Sequence, residues 1–578
     1  MPITEALEEH TGSPVRFNSS LLFMSLLLGL VAFLVLTPLL MMILNSFQVS
    51  QPGEPVVYGL QGWQEVVTSA GMLAPIYNTF SLAITRQLIA LVLGIFLAWL
   101  LARTDIPMRG GLEFMFWISF FLPVLPVTMG WILLLDPNYG LLNQWLLKLP
   151  FIHEPPFNIY SFWGIIWAHL TATTLGIKVM LLTPAFRNMD AVLEESSRIS
   201  GASALGTLVR IITPVMTPAI LVTTVLGIIR SLEAFEIELL LGVPIGLHVY
   251  STKIHELVIS EPPEFPPAMA LGTAFLGILL LLVILQRMVV GRKSYTTVTG
   301  RGFSYRPTPL GRWKYPAFAL VLLLAIIITV VPIALLVMGT FMKLFGFFHI
   351  PEPWTLDNWR QVLKDPVIFR SLWNTIFIGL GAGGIGILLY ALIAYVIVKT
   401  RFAARGLLDL LSWLPWSIPG ILLGIALLWT FLGTKVFLPI YGTLYILIIA
   451  MVIKSMPFGT QLIKSVMLQL GSELEEASRI TGASWFYTYR RILFPLLFPA
   501  LLTVGLVVFI SAARDIGTVV LLATGRTRTL SLLMLDFATE AEFERATVVA
   551  VIIVILVVVA AFIARTCGGR LNVRGGVG

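Results

Sequence analysis

Twelve apolar runs, each about long enough to cross a lipid bilayer, constrain this chain more than any other feature. They lie at about 20–45, 78–102, 112–135, 161–184, 212–235 and 267–290, and again at about 316–341, 374–398, 407–432, 442–468, 496–523 and 547–566. A spanning helix needs roughly 20 predominantly apolar residues. Hydrocarbon offers no partner to a backbone N–H or C=O, so runs of this length predict helices that satisfy their own hydrogen bonds. The chain is 57% hydrophobic and 12% charged, whereas a soluble domain carries about 25% charged residues. The expected fold class is therefore an all-α membrane protein.

Charge placement gives orientation. Arg292, Lys293, Arg301, Arg306, Arg312 and Lys314 crowd one turn-rich stretch between the sixth and seventh runs. Short loops rich in Lys and Arg stay in the cytoplasm. Residues 292–313 are thus read as a cytoplasmic linker between a first half, 20–291, and a second, 314–578, with both termini inside. Arg103, Arg109, Lys399, Arg401 and Arg405 fall on the same side, and Gln48 to Gly71, predicted outside, holds no Lys or Arg. The net charge of +8 then reflects membrane topology, and no nucleic-acid partner is expected. Residues 1–19 read as a polar cytoplasmic extension. They lack the basic region of a cleaved signal, and the first apolar run is too long for one. The single cysteine, Cys567, excludes an internal disulfide and a cysteine-based metal cluster.

The halves repeat. Asn78-Thr79-Phe80 opens a run ending near Thr104 and Gly110, and Asn374-Thr375-Ile376 opens one ending near Thr400 and Gly406. The offset is constant, since 374 − 78, 400 − 104 and 406 − 110 all equal 296. Six spans per half give both copies the same orientation, a parallel repeat about an axis along the membrane normal, with a substrate path expected where the halves meet. Proline pairs, Pro123/Pro126 and Pro415/Pro419, sit inside each third run. They either break the helix near a substrate site or are tolerated as kinks.

Between the fourth and fifth runs each half carries a polar segment. One is Glu194-Glu195-Ser196-Ser197 through Gly201 to Arg210-Ile211-Ile212-Thr213-Pro214, and the other is Glu475-Glu476-Ala477-Ser478 through Gly482 to Arg491-Ile492-Leu493-Phe494-Pro495. Again 476 − 195, 482 − 201 and 495 − 214 agree, at 281. Ser472 with Glu475 fits a capping box. The acidic residues suit the positive end of a helix dipole, and the glycine permits a sharp turn. The expected element is a helix–Gly–helix hairpin lying along the cytoplasmic face.

This segment resembles the EAA loop of ABC importer permeases, E-A-A-x3-G-x9-I-x-L-P. It matches at Glu195, Gly201, Ile211 and Pro214, and at Glu476, Ala477, Gly482, Ile492 and Pro495. It departs at Ser196, Ser197, Ser478, Thr213 and Phe494. The resemblance implies the type I importer fold and a coupling helix seated in a separate ATPase subunit. Glu195, Gly201 and Arg210 in half one, and Glu476, Gly482, Trp485 and Arg491 in half two, would make that contact. Two ATPase copies and an extracellular or periplasmic solute-binding protein are the implied partners, in a bacterial inner membrane. Trp485, Phe486, Tyr487 and Tyr489 replace Ala204, Leu205, Gly206 and Leu208. They read either as a tighter ATPase contact in half two or as interfacial aromatics.

Ionisable residues inside spans point to function. Arg230, Glu233 and Glu236 close the fifth run, and Arg514 and Asp515 close the eleventh. By resemblance they line the path. The bland alternative is a headgroup position, or an Arg230–Glu233 pair on one helix. His153, His169, His248 and His255 show no metal-ligand spacing, and metal ligands stay unassigned. No phosphate-binding loop occurs, Gly291-Arg292-Lys293-Ser294 being only an echo, so nucleotide is expected on partner subunits and no cofactor or enzyme site in this chain. The runs Ser231-Leu232-Glu233-Ala234-Phe235-Glu236 and Ala512-Ala513-Arg514-Asp515-Ile516-Gly517-Thr518 resemble ferric-iron permeases. The acidic residues suit Fe³⁺, while Arg230 and Arg514 suit an anionic solute such as a phosphonate or sugar phosphate. Thiamine and polyamine permeases share the layout. An ion-gradient-driven secondary transporter would also have repeated halves, but would have no use for the two hairpins.

Overall fold

The computed structural model describes residues 19–50, 55–189, 192–291, 307–471 and 473–572. Residues 1–18, the linker up to Arg306, and Ser472 with its capping box lie outside the described residues, as do the side chains of Trp485, Phe486 and Cys567. Among the described residues there is no strand, only isolated bridges. Among the described residues nine helices are long and apolar enough to cross a membrane, and three bent pairs bring the number to as many as 12. Their order is six plus six.

The second span of each half, Ala70–Arg103 and Pro366–Lys399, has 34 residues. At 1.5 Å per residue that is about 51 Å, well beyond a hydrocarbon layer of about 30 Å. Each helix therefore delivers its terminal base, Arg103 or Lys399, to the level of the coupling loops.

The third spans differ from the continuous runs expected at 112–135 and 407–432. Helix Arg109–Phe121 stops before Pro123, and Val124–Leu135 resumes at 101°. In half two the chain turns by 110° before Gly420–Gly433. Pro123 and Pro419 lack an N–H and force Leu122 and Ile418 into extended backbone, with ψ of 136° and 109°. The proline pairs thus break the helices. The segments beyond the breaks are buried almost throughout, so an all-apolar sequence faces protein on every side. Val124–Leu135 packs on Val331–Thr340 of the seventh span, and Gly420–Gly433 packs on the first span, Ser19–Asn45. Each half's first span thus lies against the broken span of the other, which interlocks the halves.

The fifth span of half one runs Thr217–Leu232, shorter than the expected 212–235, after a 76° bend at Met216. In half two Phe494–Arg514 continues straight from the coupling segment. Short helices, Tyr250–Ile259 and Leu530–Thr539, follow the fifth spans at the opposite end from the coupling loops. The repeated Asn-Thr pairs hold them. Asn78 Nδ2 donates to the His248 carbonyl at 3.0 Å, and Thr79 Oγ1 accepts from the Tyr250 N–H at 3.0 Å. Asn374 Nδ2 donates to the Arg526 and Arg528 carbonyls, each at 3.0 Å, and Thr375 Oγ1 accepts from the Leu530 N–H at 2.9 Å. Each threonine thereby satisfies an N–H that the start of a helix leaves without an intrahelical partner.

Candidate coupling loops and axial path

Each candidate coupling loop folds as a two-armed hairpin. Helix Val192–Ile199 ends at Gly201, φ +82°, and helix Glu473–Ile480 ends at Gly482, φ +81°. The Ala202 N–H reaches back to the Ser197 carbonyl, and Ala483 to Ser478, each at 3.1 Å. This left-handed helix ending suits glycine and strains residues with a Cβ. The serines that depart from the alanine pattern close the hairpins. Ser197 Oγ meets Thr207 Oγ1 at 2.8 Å, and Ser478 Oγ meets Thr488 Oγ1 at 2.8 Å.

The carboxylates that anchor the loops are the first of each pair. Buried Glu194 accepts from Arg103 Nε at 2.7 Å, and Arg103 Nη1 also donates to the Met189 carbonyl at 3.0 Å. Buried Glu475 lies 3.3 Å from Lys399 Nζ and accepts from the Tyr395 hydroxyl at 3.5 Å, while Lys399 Nζ donates to the Leu470 carbonyl at 2.7 Å. A hairpin is thus tied to the end of the second span in both halves (399 − 103 = 296). Glu195 is half-buried, and Glu476, Arg210 and Arg491 are exposed. At the hairpin tips Ile199 is 88% exposed and Ile480 85%. Neither repeat offset alone pairs Glu194 with Arg103 or Glu475 with Lys399, so their anchoring role shows only in the folded chain.

The linker finishes at the first hairpin. Thr308 Oγ1 donates to Glu194 Oε2 at 3.1 Å, and the Thr308 N–H donates to the Arg103 carbonyl at 2.7 Å. Asp105 accepts from the Leu310 N–H at 3.0 Å and lies 3.4 Å from Lys314 Nζ. Burial acts to raise the Asp105 carboxyl, but this N–H and the Lys314 ammonium outweigh it and hold it below its ordinary value.

The residues read as the path converge where the fifth spans end. Arg230 Nη1 and Glu233 Oε2 pair at 2.9 Å on one helix. Arg514 crosses to half one, donating to the Phe120 carbonyl at 3.0 Å and lying over the Phe120 ring. The helix break at Leu122 leaves such carbonyls without an intrahelical donor. Asp515 forms an ion pair with Lys454, accepts from the Thr518 N–H at 2.9 Å, and lies within electrostatic reach of Glu236.

A second polar cluster, in half one, was not foreseen. Buried Glu238 Oε1 meets His169 Nε2 at 2.7 Å and Arg86 Nη1 at 3.6 Å, and Arg86 also donates to the Ser231 carbonyl. Gln87 Nε2 donates to the Gly227 carbonyl at 2.9 Å, and Lys178 Nζ to the Thr223 carbonyl at 2.6 Å. These bonds pin the fifth span to the second and fourth. Arg86, Lys178 and Lys454 inside apolar runs were the available signal. Among the described residues no three His, Cys, Asp or Glu side chains are placed to hold a metal together.

Residues 382–568 match the family described as binding-protein-dependent transport system inner membrane component. The chain is 29% identical over 391 residues to a ferric transport system permease protein of Actinobacillus pleuropneumoniae, covering 67% of this chain and 55% of that protein. It is 26% identical over 540 residues to a probable ABC transporter permease protein of Sinorhizobium fredii, covering 91% of this chain and 92% of the relative. A solved bacterial ABC transporter involved in alginate import overlays on 48% of this chain, with 20% identity and a TM-score of 0.41. Over residues 382–568 the chain is thus similar to the binding-protein-dependent inner membrane transport components, and over most of its length it is similar to ABC transporter permeases.

Proposed function

We propose that this chain is the permease of a ferric-iron importer, receiving its cargo from a solute-binding protein on the outer side and driven by two ATPase subunits on the cytoplasmic side. The observation that carries this reading is the pair of matched hairpins. Each is tied by a buried carboxylate to the end of a second span and presents an exposed isoleucine at its tip. A bundle that worked alone would gain nothing from two apolar tips in water. A partner groove that covers Ile199 and Ile480 recovers that hydrophobic free energy, and the anchors pass the partner's motion to the second spans. ATP hydrolysis belongs to the partners.

The cargo moves by alternating access. ATP-driven closure of the partners draws the hairpins together, the halves rock, and the path opens first outward and then inward. Glu236, Glu233 and Asp515 each offer an oxygen donor that a passing hard cation meets in turn, and Lys454, Arg230 and Arg514 keep each contact too weak to hold it. The likeness to a ferric permease supports iron over other cargoes.

Uptake of ferric iron by cells carrying Gly201→Asp together with Gly482→Asp tests the coupling assignment. The expected outcome is normal membrane insertion with uptake lost, because a Cβ at φ near +80° costs about 1–2 kcal/mol and a new charge enters the docking face. Normal uptake in the double variant contradicts it.

A further inference from the structure

At the opposite end of the path from the hairpins, a cleft of about 450 Å³ opens between the halves. Helix Tyr250–Ile259 supplies Thr252, His255 and Glu256 to one wall, and helix Leu530–Thr539 supplies Asp536 and Thr539 to the other. The repeat relates the walls. Glu256 and Asp536 are equivalent positions (536 − 256 = 280), at the offset that relates Tyr250 to Leu530, while His255 has Leu535 as its counterpart; Leu239 and Val520 (520 − 239 = 281) line the cleft with Val243 and Ala523. In each of these segments the apolar lining follows within a few residues of an acidic one, Glu236 or Asp515.

The polar groups are held but not locked. Asp536 Oδ2 lies 3.1 Å from Arg528 Nη1, and Glu256 lies 3.0 Å from Lys253 Nζ and 3.2 Å from His248 Nδ1. His255 meets the Phe235 ring edge-on at 5.4 Å. Burial pushes its imidazole down to about 4, so at neutral pH it is uncharged and offers a lone pair rather than a repelling charge.

We propose that this cleft is the first binding site on the chain for the imported cargo: a metal cation still carrying part of its oxygen ligand shell, held by His255 of one half and Asp536 of the other. This rests on the import reading above and adds the place and the donors. Imidazole with carboxylate suits a transition-metal cation. At about 30 Å³ per water, the volume exceeds a bare ion and fits one with a shell of small ligands. Among the described residues no group of three such side chains forms a closed metal site, so two donors give a weak hold, as a site on a conduction path requires. Because the donors come from different halves, any rocking of the halves changes their separation and releases the cargo.

The test uses the full chain in nanodiscs with radiolabelled ferric citrate, and inorganic phosphate as the anionic probe. The expected result is one saturable iron site per chain, weakened at least about tenfold by His255→Gln or Asp536→Asn. Asp357→Asn, on helix Asp357–Lys364, should leave it unchanged. The exchange variant His255→Asp with Asp536→His keeps the donor pair while breaking the Arg528 contact, and it should bind within a few-fold of wild type. Saturable phosphate binding in place of iron, iron binding indifferent to the single variants, or an exchange variant as weak as either single one would each overturn the proposal. If hairpin variants abolish ATP-driven uptake while cleft variants do not, the cleft assignment fails and the import reading stands.

Discussion

The two halves share one frame and fill it differently. Half one buries Arg86, Gln87, His169, Lys178 and Glu238, where the repeat offsets place Ala382, Gly383, Ala450, Gly459 and Val519 in half two. The crossing of the second and fourth spans shows the difference at one contact. In half one Gly94 makes room for Lys178, whose Cβ would lie 2.6 Å from a Cβ added at Gly94. In half two the small and large partners are reversed: Tyr390 stands where Gly94 does, and a Cβ at Gly459 would lie 2.2 Å from its ring. Lys178 reaches on to the fifth span through the Thr223 carbonyl, whereas the Tyr390 hydroxyl donates to the Val452 carbonyl, within the fourth span, at 2.6 Å. The polar bond at this one crossing thus reaches on to the fifth span in half one and stays between the second and fourth spans in half two. Half two places an ion pair where its fifth span ends, between Lys454 and Asp515.

The largest effect should come from breaking the cluster in half one. Glu238→Val supplies the residue that half two carries at 519, but leaves Arg86 buried without its counter-charge, at a cost of about 3–5 kcal/mol. Thermal unfolding in detergent should show it as a clear drop in Tm. Grafting the rest of half two's solution, with Arg86→Ala and His169→Ala added, should recover most of that loss. A triple variant as unstable as the single one would show that the cluster is needed for the fold itself.

Next in size is the pair of loop anchors. Glu194→Gln removes a charge-assisted bond to Arg103 and weakens the one to Thr308, a loss of about 1.5–3 kcal/mol. Glu475→Gln, whose contacts are longer, should cost less. Hydrogen exchange across the two hairpins reads this directly, and equal protection losses would remove the asymmetry. Gly459→Ala, which presses on Tyr390, should destabilise by about 1–3 kcal/mol, measured as a Tm shift. The smallest effect belongs to Arg230→Ala. Its pair with Glu233 is half-exposed, with Arg230 at 52%, and such pairs contribute about 0.2–1 kcal/mol. A stability loss larger than that of Gly459→Ala would place Arg230 in a tighter environment than its exposure indicates.

Much of this architecture was legible because lipid leaves the backbone few choices. Run length alone gave the twelve spans, and two offsets gave the repeat and the hairpins. The helix breaks at Pro123 and Pro419 were open to two readings, since a proline's effect on a helix depends on what packs beside it. The fifth span of half one is shorter than its apolar run because that run passes, without a change in composition, through the bend at Met216. The anchoring of Glu194 and Glu475 was hidden for another reason. Their partners Arg103 and Lys399 lie in a different repeat register, and only the folded chain joins the 296 and 281 offsets. The Asn-Thr pair was visible as a repeat, but its task of holding the short helix after the fifth span needed the long-range bond to Tyr250 or Leu530.

The most direct test of the central claim is native mass spectrometry of the protein purified from its own membrane in mild detergent. The account predicts one copy of this chain with two copies of a subunit bearing a phosphate-binding loop, and loss of both copies when Ile199→Asp and Ile480→Asp are combined. A chain that purifies without any ATPase and supports ion-gradient-driven uptake alone would contradict it.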